Sequence, residues 1–540
     1  MNELPPLAVQ LLHNRGLREP DVVNDFRAGG QPPNDPFLMA GMEAATARIL
    51  RAVQNKGRVC IYSDYDADGV TSCSVLTLTL RSLGLDPEAY FPDRLTEGYG
   101  LNTAAVEGIA ERGADLLIST DCGANAVAEV EAALGRGMDV IVTDHHTVLD
   151  DLPEAATALN PRNPGEPYPF PDLSGVGVAY KLAEAVLSEA ESPEAIAPES
   201  LLDLVALGTV ADVVPLRDEN RYFVVEGIRQ MNREPRPGME ALISVSRLAG
   251  GEVTATDLGF RLGPLINAAG RMDDARIAYG LLTGTDELEI GRLAQKLEEL
   301  NRMRQEATRE VLEAAQEFVD GEGPVFAYGE DWHPGVVGLV AGRLAEATGR
   351  PAFVASVRGG VAQGSARAGE GFNVVEALAA CGHVLERHGG HARAGGFTVA
   401  RDRLEELREA MQARWEEVAG KQEASVLEAD CRLRADSINW DTWQLVTDLE
   451  PYGEGFRAPV FAVEGLRLAD RRTVGKDRSH LRPEFAGLGA DVTAIWFGGG
   501  RYAAGLKPGS WYDVCFKIGK STYQGATRLD MLVEDVRTAE

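Results

Sequence analysis

Three apolar segments in the first half of the chain each run directly into acidic or histidine residues. They are RVCIYSDYDADG from Arg58, DLLISTDCG from Asp115 and DVIVTDHH from Asp139. The stretches TSCSVLTLTLRSLG and NAVAEVEAALGRG, which follow the first and the second segment, have helical spacing. Strands that alternate with helices predict a parallel sheet with helices on its faces. Because ligands bind at the carboxyl ends of such strands, we expect these polar residues to converge there.

Length and composition restrict the fold further. With 540 residues the chain is too long for a single core, and 44% hydrophobic with 25% charged residues is typical of a globular protein. We expect no signal peptide and no membrane span, because apolar windows are interrupted well before spanning length. Six cysteines without a CxxC pair favour a reducing cytoplasm. The net charge of −30 argues against nonspecific coating of DNA but is compatible with a locally positive cleft.

The chain beyond about residue 220 divides into further regions. A long amphipathic helical stretch runs from about Asp286 to Val319, and a second α/β unit follows at roughly 323 to 420. Strand-like runs separated by glycine and charged turns occupy about 428 to 540, which predicts a small β-barrel. The sequence therefore predicts an α/β protein with a parallel-sheet domain, a long connecting helix, a second α/β domain and a C-terminal barrel.

The segment SDYDADGVTS contains three closely spaced aspartates, Asp64, Asp66 and Asp68. If the strand end stays extended, all three side chains point to one side, where they repel one another unless cations neutralise them. Hard divalent ions such as Mg²⁺ and Mn²⁺ prefer oxygen ligands of this kind. Thr71 or Ser72 is expected to cap the helix that follows. The alternative is an acidic turn without a bound ion.

Further candidate ligands follow later elements. Asp121 ends the second strand, although a single aspartate there can also be a helix cap, and Asp144, His145 and His146 end the third. The paired histidines alone are equally compatible with a structural role. Asp212 interrupts an apolar helix, where an unpaired carboxylate is costly. Five aspartates and at least one histidine can hold two ions with a bridging carboxylate, which favours phosphoryl hydrolysis and, through the histidines, Mn²⁺ over Mg²⁺.

Candidate phosphate contacts lie in arginine-containing, glycine-rich segments. Such turns can cradle phosphate groups, although glycine-rich loops are also ordinary turns. GPLINAAGRM and GGHARAGG are predicted to be turns of this kind, and GSARAG places a serine and an arginine on one side of an extended segment. The candidates are Arg94, Asn267, Arg271, Ser365, Arg367, His391 and Arg393.

The C-terminal region combines basic residues with aromatic rings. The basic residues are Arg467, Arg471, Arg472, Lys476, Arg478 and Arg482, and the rings are Trp496, Phe497, Trp511 and Tyr523. Positive charge with interleaved rings is how proteins hold single strands without sequence preference. We expect at least half of the rings to belong to the barrel core instead.

Taken together, the motifs resemble those of a known superfamily. DYDADGVTS, DCGAN, DHH and GTVADVVPL are similar, in order and character, to the four motifs of the DHH phosphoesterases. LLHNRGL, GVGVAYKL and GPLINAAGRM narrow the resemblance to the RecJ-type exonucleases. GGHARAGGF resembles the motif of the accompanying DHHA1 domain, and STYQGATRLDMLVEDV resembles the end of the family's oligonucleotide-binding (OB) barrel. The resemblance covers nearly the whole chain.

The resemblance implies an ion-dependent exonuclease that hydrolyses single-stranded DNA in the 5′-to-3′ direction to mononucleotides, in recombination and DNA repair. It implies two Mn²⁺ or Mg²⁺ ions as cofactors. The implied domains are an N-terminal lead segment at 1–45, a DHH catalytic domain at 46–283, a connecting helix at 284–322, a DHHA1 domain at 323–425 and an OB-fold nucleic-acid-binding domain at 426–540.

By motif position the resemblance also implies the roles of individual residues. The implied metal ligands are Asp64, Asp66, Asp68, Asp121, His145 and Asp212. His146 would contact the scissile phosphate, and Asp144 would orient the histidines. Leu265 departs from the family's pattern, because a basic residue is expected there, and one phosphate contact is therefore unaccounted for.

Two alternatives and several partners complete the expectations. A phosphodiesterase of the same superfamily, acting on nano-RNA or cyclic dinucleotides, would resemble only the two α/β domains. A catalytically silent Cdc45-like scaffold need not retain every acid, whereas the whole set is present here. We expect a cytoplasmic, nucleoid-associated monomer that does not bind membranes. Single-strand-binding protein and a repair helicase are expected partners from the resemblance alone.

Overall fold

The computed structural model describes residues 4–149, 152–153, 155–248, 251–319, 321–369, 371–418, 426–475, 478–523 and 526–539. Its strands form three sheets, each built from strands that are consecutive in the chain. Within those ranges no helix has the length and apolar character needed to cross a membrane.

The first sheet is parallel and has the strand order β2-β1-β3-β4-β5. Its strands are β1 (Val59–Ser63), β2 (Glu88–Tyr90), β3 (Leu116–Thr120), β4 (Asp139–Thr143) and β5 (Thr157–Leu159). Ser63 pairs with Thr120, and Thr120 pairs with Thr143, so three neighbouring strands end in one row. The aspartates that follow these strand ends therefore leave the sheet along one edge.

Helices cover both faces of this sheet. Val59 and Ile61 of β1 pack into one apolar cluster, whereas Cys60 and Tyr62 pack into another on the opposite face. The helices are Met42–Asn55, Ala67–Ser82, Thr103–Glu111, Val127–Gly135, Gly175–Glu189, Leu202–Ala211, Asp218–Arg233, Pro237–Val245, Ala255–Asp257, Gly263–Met272 and Arg276–Thr283. A π-helical turn, Leu258–Leu262, lies between two of them.

The predicted extended geometry of the first aspartate motif is wrong. The chain turns into the helix Ala67–Ser82 directly after Tyr65, and Asp66 rather than Thr71 or Ser72 is its N-cap. Aspartate is among the best N-cap residues, because its side chain satisfies free N–H groups of the first turn.

The segment GPLINAAGRM is also not a turn. It forms the helix Gly263–Met272, with Pro264 in its first turn, where the missing N–H has no cost. Gly270 is required by close packing, because a Cβ there would lie 2.7 Å from the carbonyl oxygen of Tyr65. The glycine that indicated a turn therefore serves a helix contact.

The predicted long helix is confirmed as Glu287–Ala315, with Asp286 as its N-cap. It leads to a mixed sheet with the order β6-β7-β8-β10-β9. The strands are β6 (Val325–Gly329), β7 (Ala352–Arg358), β8 (Val361–Arg367), β9 (Arg387–His391) and β10 (Ala394–Ala400), and the helices are Val337–Thr348, Val374–Ala380 and Leu404–Val418. The segment GGHARAGGF is thus the hairpin of β9 and β10 rather than an open loop.

The C-terminal strands close into the predicted barrel. They are β11 (Cys431–Arg432), β12 (Phe461–Val474), β13 (His480–Ala486), β14 (Val492–Ile495), β15 (Trp511–Tyr523) and β16 (Ala526–Thr538), and one helix, Trp440–Thr447, precedes β12. β12 pairs with β13 and β15, β15 pairs with β16, and β16 pairs with β14. A bridge between Leu481 and Trp496 joins β13 to the end of β14 and completes the circle.

The N-terminal helices Pro6–Asn14 and Pro20–Ala28 share the apolar core of this barrel region. Arg15 forms an ion pair of 2.7 Å with Asp430, which lies 415 residues later in the chain. The guanidinium group of Arg221 is buried against Phe26, 3.6 Å from the centre of its ring. The N-terminal lead segment therefore packs on the C-terminal barrel region, a contact that no sequence pattern predicted.

Candidate metal centre

Three buried aspartates follow the row of strand ends. Asp64, Asp121 and Asp144 come directly after β1, β3 and β4, and each is at most 4% exposed. Asp121 has a φ of 58°, in the left-handed region that residues other than glycine rarely adopt. The next helix begins at Val127 with Ala126 as its N-cap, so Asp121 is not a helix cap.

Two more carboxylates lie at the start of the helix after β1. Oδ1 of Asp66 accepts two backbone N–H groups of its own helix, at 2.9 and 3.1 Å. The Asp68 carboxylate accepts the N–H groups of Gly175 and Val176, at 2.7 and 2.8 Å. These donors belong to the first turn of the helix Gly175–Glu189, where N–H groups have no partner within the helix. Both carboxylates are therefore held by backbone.

Two glycines let helices approach these carboxylates. A Cβ at Gly175 would lie 2.6 Å from Oδ1 of Asp121, and a Cβ at Gly208 would lie 2.9 Å from Oδ1 of Asp68. Both distances are too short for real atoms, so a side chain at either position would displace a carboxylate. Sequence reasoning missed this role, although GVGVAYKL and GTVADVVPL both contain the glycine concerned.

His145 and Asp212 complete the cluster. Nε2 of His145 lies 3.2 Å from Oδ1 of Asp121, 3.6 Å from Oδ2 of Asp212 and 3.9 Å from Oδ2 of Asp68. Asp212 was predicted to interrupt a helix, but it follows the helix Leu202–Ala211 as its C-cap. Burial is the main reason that the pKa of His145 is lowered to about 3, which keeps the imidazole neutral and able to bind a cation.

His146 is oriented by Asp144. Nδ1 of His146 lies 2.7 Å from Oδ1 of Asp144, whose Oδ2 accepts the N–H of Ala124 at 2.8 Å. Burial lowers the pKa of His146, but the bond to Asp144 more than offsets burial, so the pKa is raised. Tyr99, which sequence reasoning missed, is exposed, and its hydroxyl lies 3.3 Å from Nδ1 of His146. The sequence GYG, in which glycines flank Tyr99 on both sides, was the only pattern that could have indicated this residue.

The chemistry of the cluster fits divalent cations. Three groups of possible ligand atoms, each within 4.8 Å of one another, are Asp121 with His145 and His146, Asp68 with His145 and Asp212, and Asp64 with Asp66 and Asp121. Among the described residues, Oδ1 of Asp64, Oδ1 of Asp121 and both ring nitrogens of His145 are buried without a hydrogen-bond partner. Burial, and then neighbouring aspartates, raise the pKa values of Asp64, Asp68, Asp121 and Asp212. These carboxylates cannot all stay ionised unless cations neutralise them.

The metal cluster is defined as Asp64, Asp66, Asp68, Asp121, His145 and Asp212. An arginine cluster, defined as Arg94, Arg271 and Arg367 with Ser365, lies close to it. Nη1 of Arg367 donates to Oγ of Ser365 at 2.7 Å, which confirms that the two residues share one side of β8. The Arg94 guanidinium lies 4.9 Å from the ring centre of Tyr65, the residue between the first two aspartates. Burial, and then Arg94, lower the pKa values of Arg271, to about 9, and of Arg367. Several positive charges therefore lie close together, as in a site for an anion.

Other predicted phosphate contacts are placed differently. Oδ1 of Asn267 accepts the N–H of Ala67 at 2.8 Å, so this amide supports the aspartate-bearing helix start. His391 ends β9, and its ring is nearly parallel to that of His146, with ring centres 6.3 Å apart. Arg393 follows in the hairpin and lines a separate cavity with Arg414. Of these residues, His391 borders the metal cluster.

A groove of about 760 Å³ runs along the connecting helix, and arginines dominate its lining. The arginines are Arg247, Arg261, Arg302, Arg304, Arg309 and Arg343, with Glu298 as the single acid among the described lining residues. Phe260 in the π-helical turn is 81% exposed at the groove. Leu265 lines the groove as a buried apolar side chain, so no cation occupies that position.

The arginine groove, defined by those residues, continues from the arginine cluster. Arg304 contributes to lowering the pKa of Arg271, and burial and then Arg343 lower the pKa of Arg304 itself. Positive charge therefore continues from the arginine cluster through Arg304 to Arg343. The other four arginines of the groove form ion pairs with acidic residues. A chain of net charge −30 thus brings several arginines together beside the metal cluster.

The basic residues of the barrel lie mainly on its surface. Arg472 and Arg482 oppose each other on β12 and β13, and Arg478 is exposed. Arg471 is half-buried and donates to the carbonyl of Ala503. Lys476 lies outside the described residues.

The predicted aromatic residues of the barrel divide between surface and core. Phe497 and Trp511 are exposed, whereas Trp496 is buried. The side chain of Tyr523 lies outside the described part of the chain. Two exposed rings therefore remain as candidates for base stacking.

Known families match the chain in three places. The DHH family N-terminal domain matches residues 58–209, the DHHA1 domain matches residues 321–417, and the RecJ OB domain matches residues 429–535. The first match contains all of the strand-end aspartates and both histidines. Fold and site thus define a phosphoesterase of the DHH class.

Individual relatives identify the branch of this class. The single-stranded-DNA-specific exonuclease RecJ of Bacillus subtilis is 35% identical over 99% of this chain and 68% of its own length. The crystal structure of RecJ in complex with Mn²⁺ from Thermus thermophilus matches all of this chain and 76% of that chain, with a TM-score of 0.85 and 29% identity. The corresponding complex with Mg²⁺ also matches all of this chain and 75% of that chain, with a TM-score of 0.77 and 27% identity. The chain belongs to the RecJ family.

Proposed function

We propose that this protein is a metal-dependent exonuclease that hydrolyses single-stranded DNA from the 5′ end to mononucleotides, in recombination and DNA repair. The observation that carries the proposal is that the arginine cluster lies beside the metal cluster, with Arg94 close to Asp64 and Arg271 close to Asp66. The metal cluster supplies ligands for the ions that catalyse hydrolysis. The arginine cluster supplies guanidinium groups that can bind the phosphate at a strand end. The family membership supports the same substrate.

Two Mn²⁺ or Mg²⁺ ions would be held by six side chains. They are Asp64, Asp66, Asp68, Asp121, His145 and Asp212. Such ions, when bound, activate water and neutralise charge on the attacking and leaving oxygens. An oxygen-rich set with one neutral imidazole suits both metals and favours Mn²⁺.

His146 would contact the scissile phosphate. Asp144 binds Nδ1 of His146 and is itself held by the N–H of Ala124, so it orients the ring and leaves Nε2 for a phosphate oxygen. The rings of Tyr99 and His391 flank the ring of His146. A fixed donor loses less freedom when the phosphate binds.

The arginine cluster would bind the terminal 5′-phosphate. A terminal phosphate carries more negative charge than a phosphodiester and accepts charge-assisted hydrogen bonds from several donors. A strand held by its end places the first phosphodiester beside the metal cluster, which makes cleavage dependent on an end. This supports exonuclease over endonuclease action.

The rest of the strand would follow the arginine groove. Phosphates would contact the arginines and a base would stack on Phe260, while the barrel residues Arg471, Arg472, Lys476 and Arg478 would attract the strand further out. A cytoplasmic location at the nucleoid and a monomeric state also belong to the proposal. Partnership with single-strand-binding protein and a repair helicase belongs to it through the resemblance alone.

The alternatives have less support. A phosphodiesterase for nano-RNA or cyclic dinucleotides needs neither the arginine groove nor the barrel. A Cdc45-like scaffold does not need every carboxylate of the metal cluster in place.

The test is digestion of single strands labelled at the 5′ or the 3′ end, with Mn²⁺, with Mg²⁺ and with EDTA. We expect metal-dependent release of mononucleotides from the 5′ end first, and no activity in EDTA. Release of the 3′ label first would contradict the polarity. Faster turnover of a dinucleotide than of a long strand would contradict the substrate.

A further inference from the structure

The helix Val337–Thr348 begins beside the Ser365–Arg367 pair of the arginine cluster. A Cβ at Gly338, in the first turn of this helix, would lie 3.2 Å from Oγ of Ser365 and 3.4 Å from Nη2 of Arg367. The first distance is shorter than an ordinary van der Waals contact, and the second equals one. At this point the arginine cluster is bordered by the backbone of Gly338 alone. A side chain at this position would lie next to Oγ of Ser365 and Nη2 of Arg367.

The same helix start is attached to the domain that carries the metal cluster. A Cβ at Gly335 would lie 2.1 Å from the carbonyl oxygen of Arg271, and Nη1 of Arg271 donates to the carbonyl of Gly335 at 3.3 Å. The helix start thus bridges Arg271 on one side and the Ser365–Arg367 pair on the other. Its position relative to both donors is set by backbone packing rather than by a flexible side chain.

Backbone donors at this helix start are available. Among the described residues, the N–H groups of Leu339 and Val340 donate to the carbonyl of Val336, whereas those of Val337 and Gly338 donate to no carbonyl. First-turn N–H groups have no partner within a helix and favour an anion. With the neighbouring arginines, they give the cluster donors from two directions.

We infer that Gly338 is a specificity-determining residue of the terminal-phosphate site, because its lack of a side chain lets the helix start, with the N–H groups of Val337 and Gly338, approach the Ser365–Arg367 pair closely enough for both to bind one phosphate. The inference rests on the proposed function. A side chain at position 338 would press against Oγ of Ser365 and Nη2 of Arg367 and move them away from the helix start, without removing any positive charge. It should therefore weaken recognition of the end and leave the chemistry of the metal cluster intact.

The test compares Gly338→Ala and Gly338→Leu with Gly342→Ala and Gly342→Leu in the full chain. Gly342 lies one turn later in the same helix, and a Cβ there would meet nothing within 4 Å. The readout is kcat/KM on 5′-phosphorylated relative to 5′-hydroxyl single strands of one sequence. We expect the ratio to fall several-fold for Gly338→Ala and at least about ten-fold for Gly338→Leu, mainly through KM, because the phosphate no longer reaches its charged donors.

The Gly342 variants should keep the wild-type ratio, and thermal melting shows whether all variants fold. A wild-type ratio in folded Gly338→Leu overturns the inference while leaving the proposed function in place. An equal fall in both Gly338 and Gly342 variants also overturns it, because the effect would then come from the helix rather than from the site. No preference for 5′-phosphorylated strands in the wild-type protein would instead contradict end recognition as proposed.

Discussion

Nε2 of His145 lies 3.2 Å from Oδ1 of Asp121, and among the described residues neither atom forms a hydrogen bond. A neutral imidazole and a buried carboxylate in this position need a shared partner. A divalent cation satisfies both, because imidazole nitrogen and carboxylate oxygen are both ordinary ligands for Mn²⁺. The pair is therefore a sensitive position at which to test the metal cluster.

The variant Asp121→Asn should lose activity by at least about a hundred-fold, since each metal ion contributes several kcal/mol of charge stabilisation and about 1.4 kcal/mol is tenfold. It should also melt at a higher temperature than the wild-type protein in EDTA, because a buried carboxylate repelled by its neighbours is removed. The rise in melting temperature that Mn²⁺ causes in the wild-type protein should shrink. Melting curves with and without Mn²⁺ measure both effects.

Asp139→Asn is the matched control, because Asp139 is exposed at the opposite end of β4. It should leave activity and both melting temperatures unchanged. Near-normal turnover of Asp121→Asn in Mn²⁺ would contradict the proposed metal cluster.

Replacing Arg367 by alanine should remove end recognition rather than hydrolysis. Arg367 donates to Ser365 and is close to Arg94, so its loss opens the phosphate site while the aspartates stay in place. The preference for 5′-phosphorylated over 5′-hydroxyl strands should fall by about ten-fold or more, in line with about 1.5–3 kcal/mol for a hydrogen bond to a charged group. If the preference for 5′-phosphorylated strands did not change, Arg367 would not be part of the phosphate site.

The double variant Arg304→Ala/Arg343→Ala should weaken binding of long single strands. For every arginine–phosphate pair that the variant removes, the slope of log K against log salt should become shallower by about 0.7. Fluorescence anisotropy across a salt series, with Asp121→Asn as background, measures the slope. Arg136→Ala, at a surface ion pair with Glu107, is the control. Equal slopes for the groove variant and the control would exclude the groove as the path of the strand.

Removing the exposed rings of the barrel, by Phe497→Ala together with Trp511→Ala, should raise KM on long strands. Each stacked base contributes about 1–3 kcal/mol, so the rise should be about ten-fold or more. Turnover of very short oligonucleotides should not change, because they reach the metal cluster without the barrel. Trp443→Ala, at a half-buried ring that packs on Trp440 and lies under the ammonium group of Lys520, gives a comparison on the same domain. If the variant and the wild-type protein had the same KM on long strands, the barrel would not bind the strand through these rings and would instead be a surface for protein partners.

Arg221 should be among the most costly residues to replace outside the site. Its guanidinium donates to the carbonyls of Phe26, Leu449, Glu450 and Pro451, and burial lowers its pKa to about 10. Arg221→Met leaves these acceptors unpaired and should cost about 3–5 kcal/mol of unfolding free energy. Arg229→Ala, at an exposed position of the same helix, should change the free energy of unfolding by less than about 0.5 kcal/mol. Urea unfolding of both variants decides the comparison.

Strong periodic signals made much of the fold predictable. The strand Leu116–Thr120 lies within the predicted apolar segment DLLISTDCG, and the long helix ends within a few residues of its predicted limits. The convergence of Asp64, Asp121 and Asp144 followed from the rule that parallel strands end at one edge. These features depend on local spacing and on one general property of sheets, both of which a single sequence carries.

Contacts between distant segments were not predictable. Gly270 indicated a turn, but it lies within a helix, where the close approach of the Tyr65 carbonyl leaves no room for a side chain. Asn267 and Arg271 are neighbours on that helix, yet one supports a backbone N–H and the other faces the arginine cluster. The steric roles of Gly175, Gly208 and Gly338 depend on side chains far away in the sequence.

The shared core of the N-terminal helices and the barrel has a consequence for the order in which this protein acquires its structure during translation. Arg15 and Asp430 are 415 residues apart, so on a ribosome that adds about 5–20 residues per second, roughly 20–80 s pass between their synthesis. Throughout this time Leu11 and Leu12 of the first helix lack the barrel core that buries them, although Phe26 of the second helix can already contact Arg221. A nascent chain interrupted before the barrel therefore keeps an uncovered hydrophobic segment at its start, which chaperones and proteases can bind. Only a chain synthesised as far as the barrel can bury it.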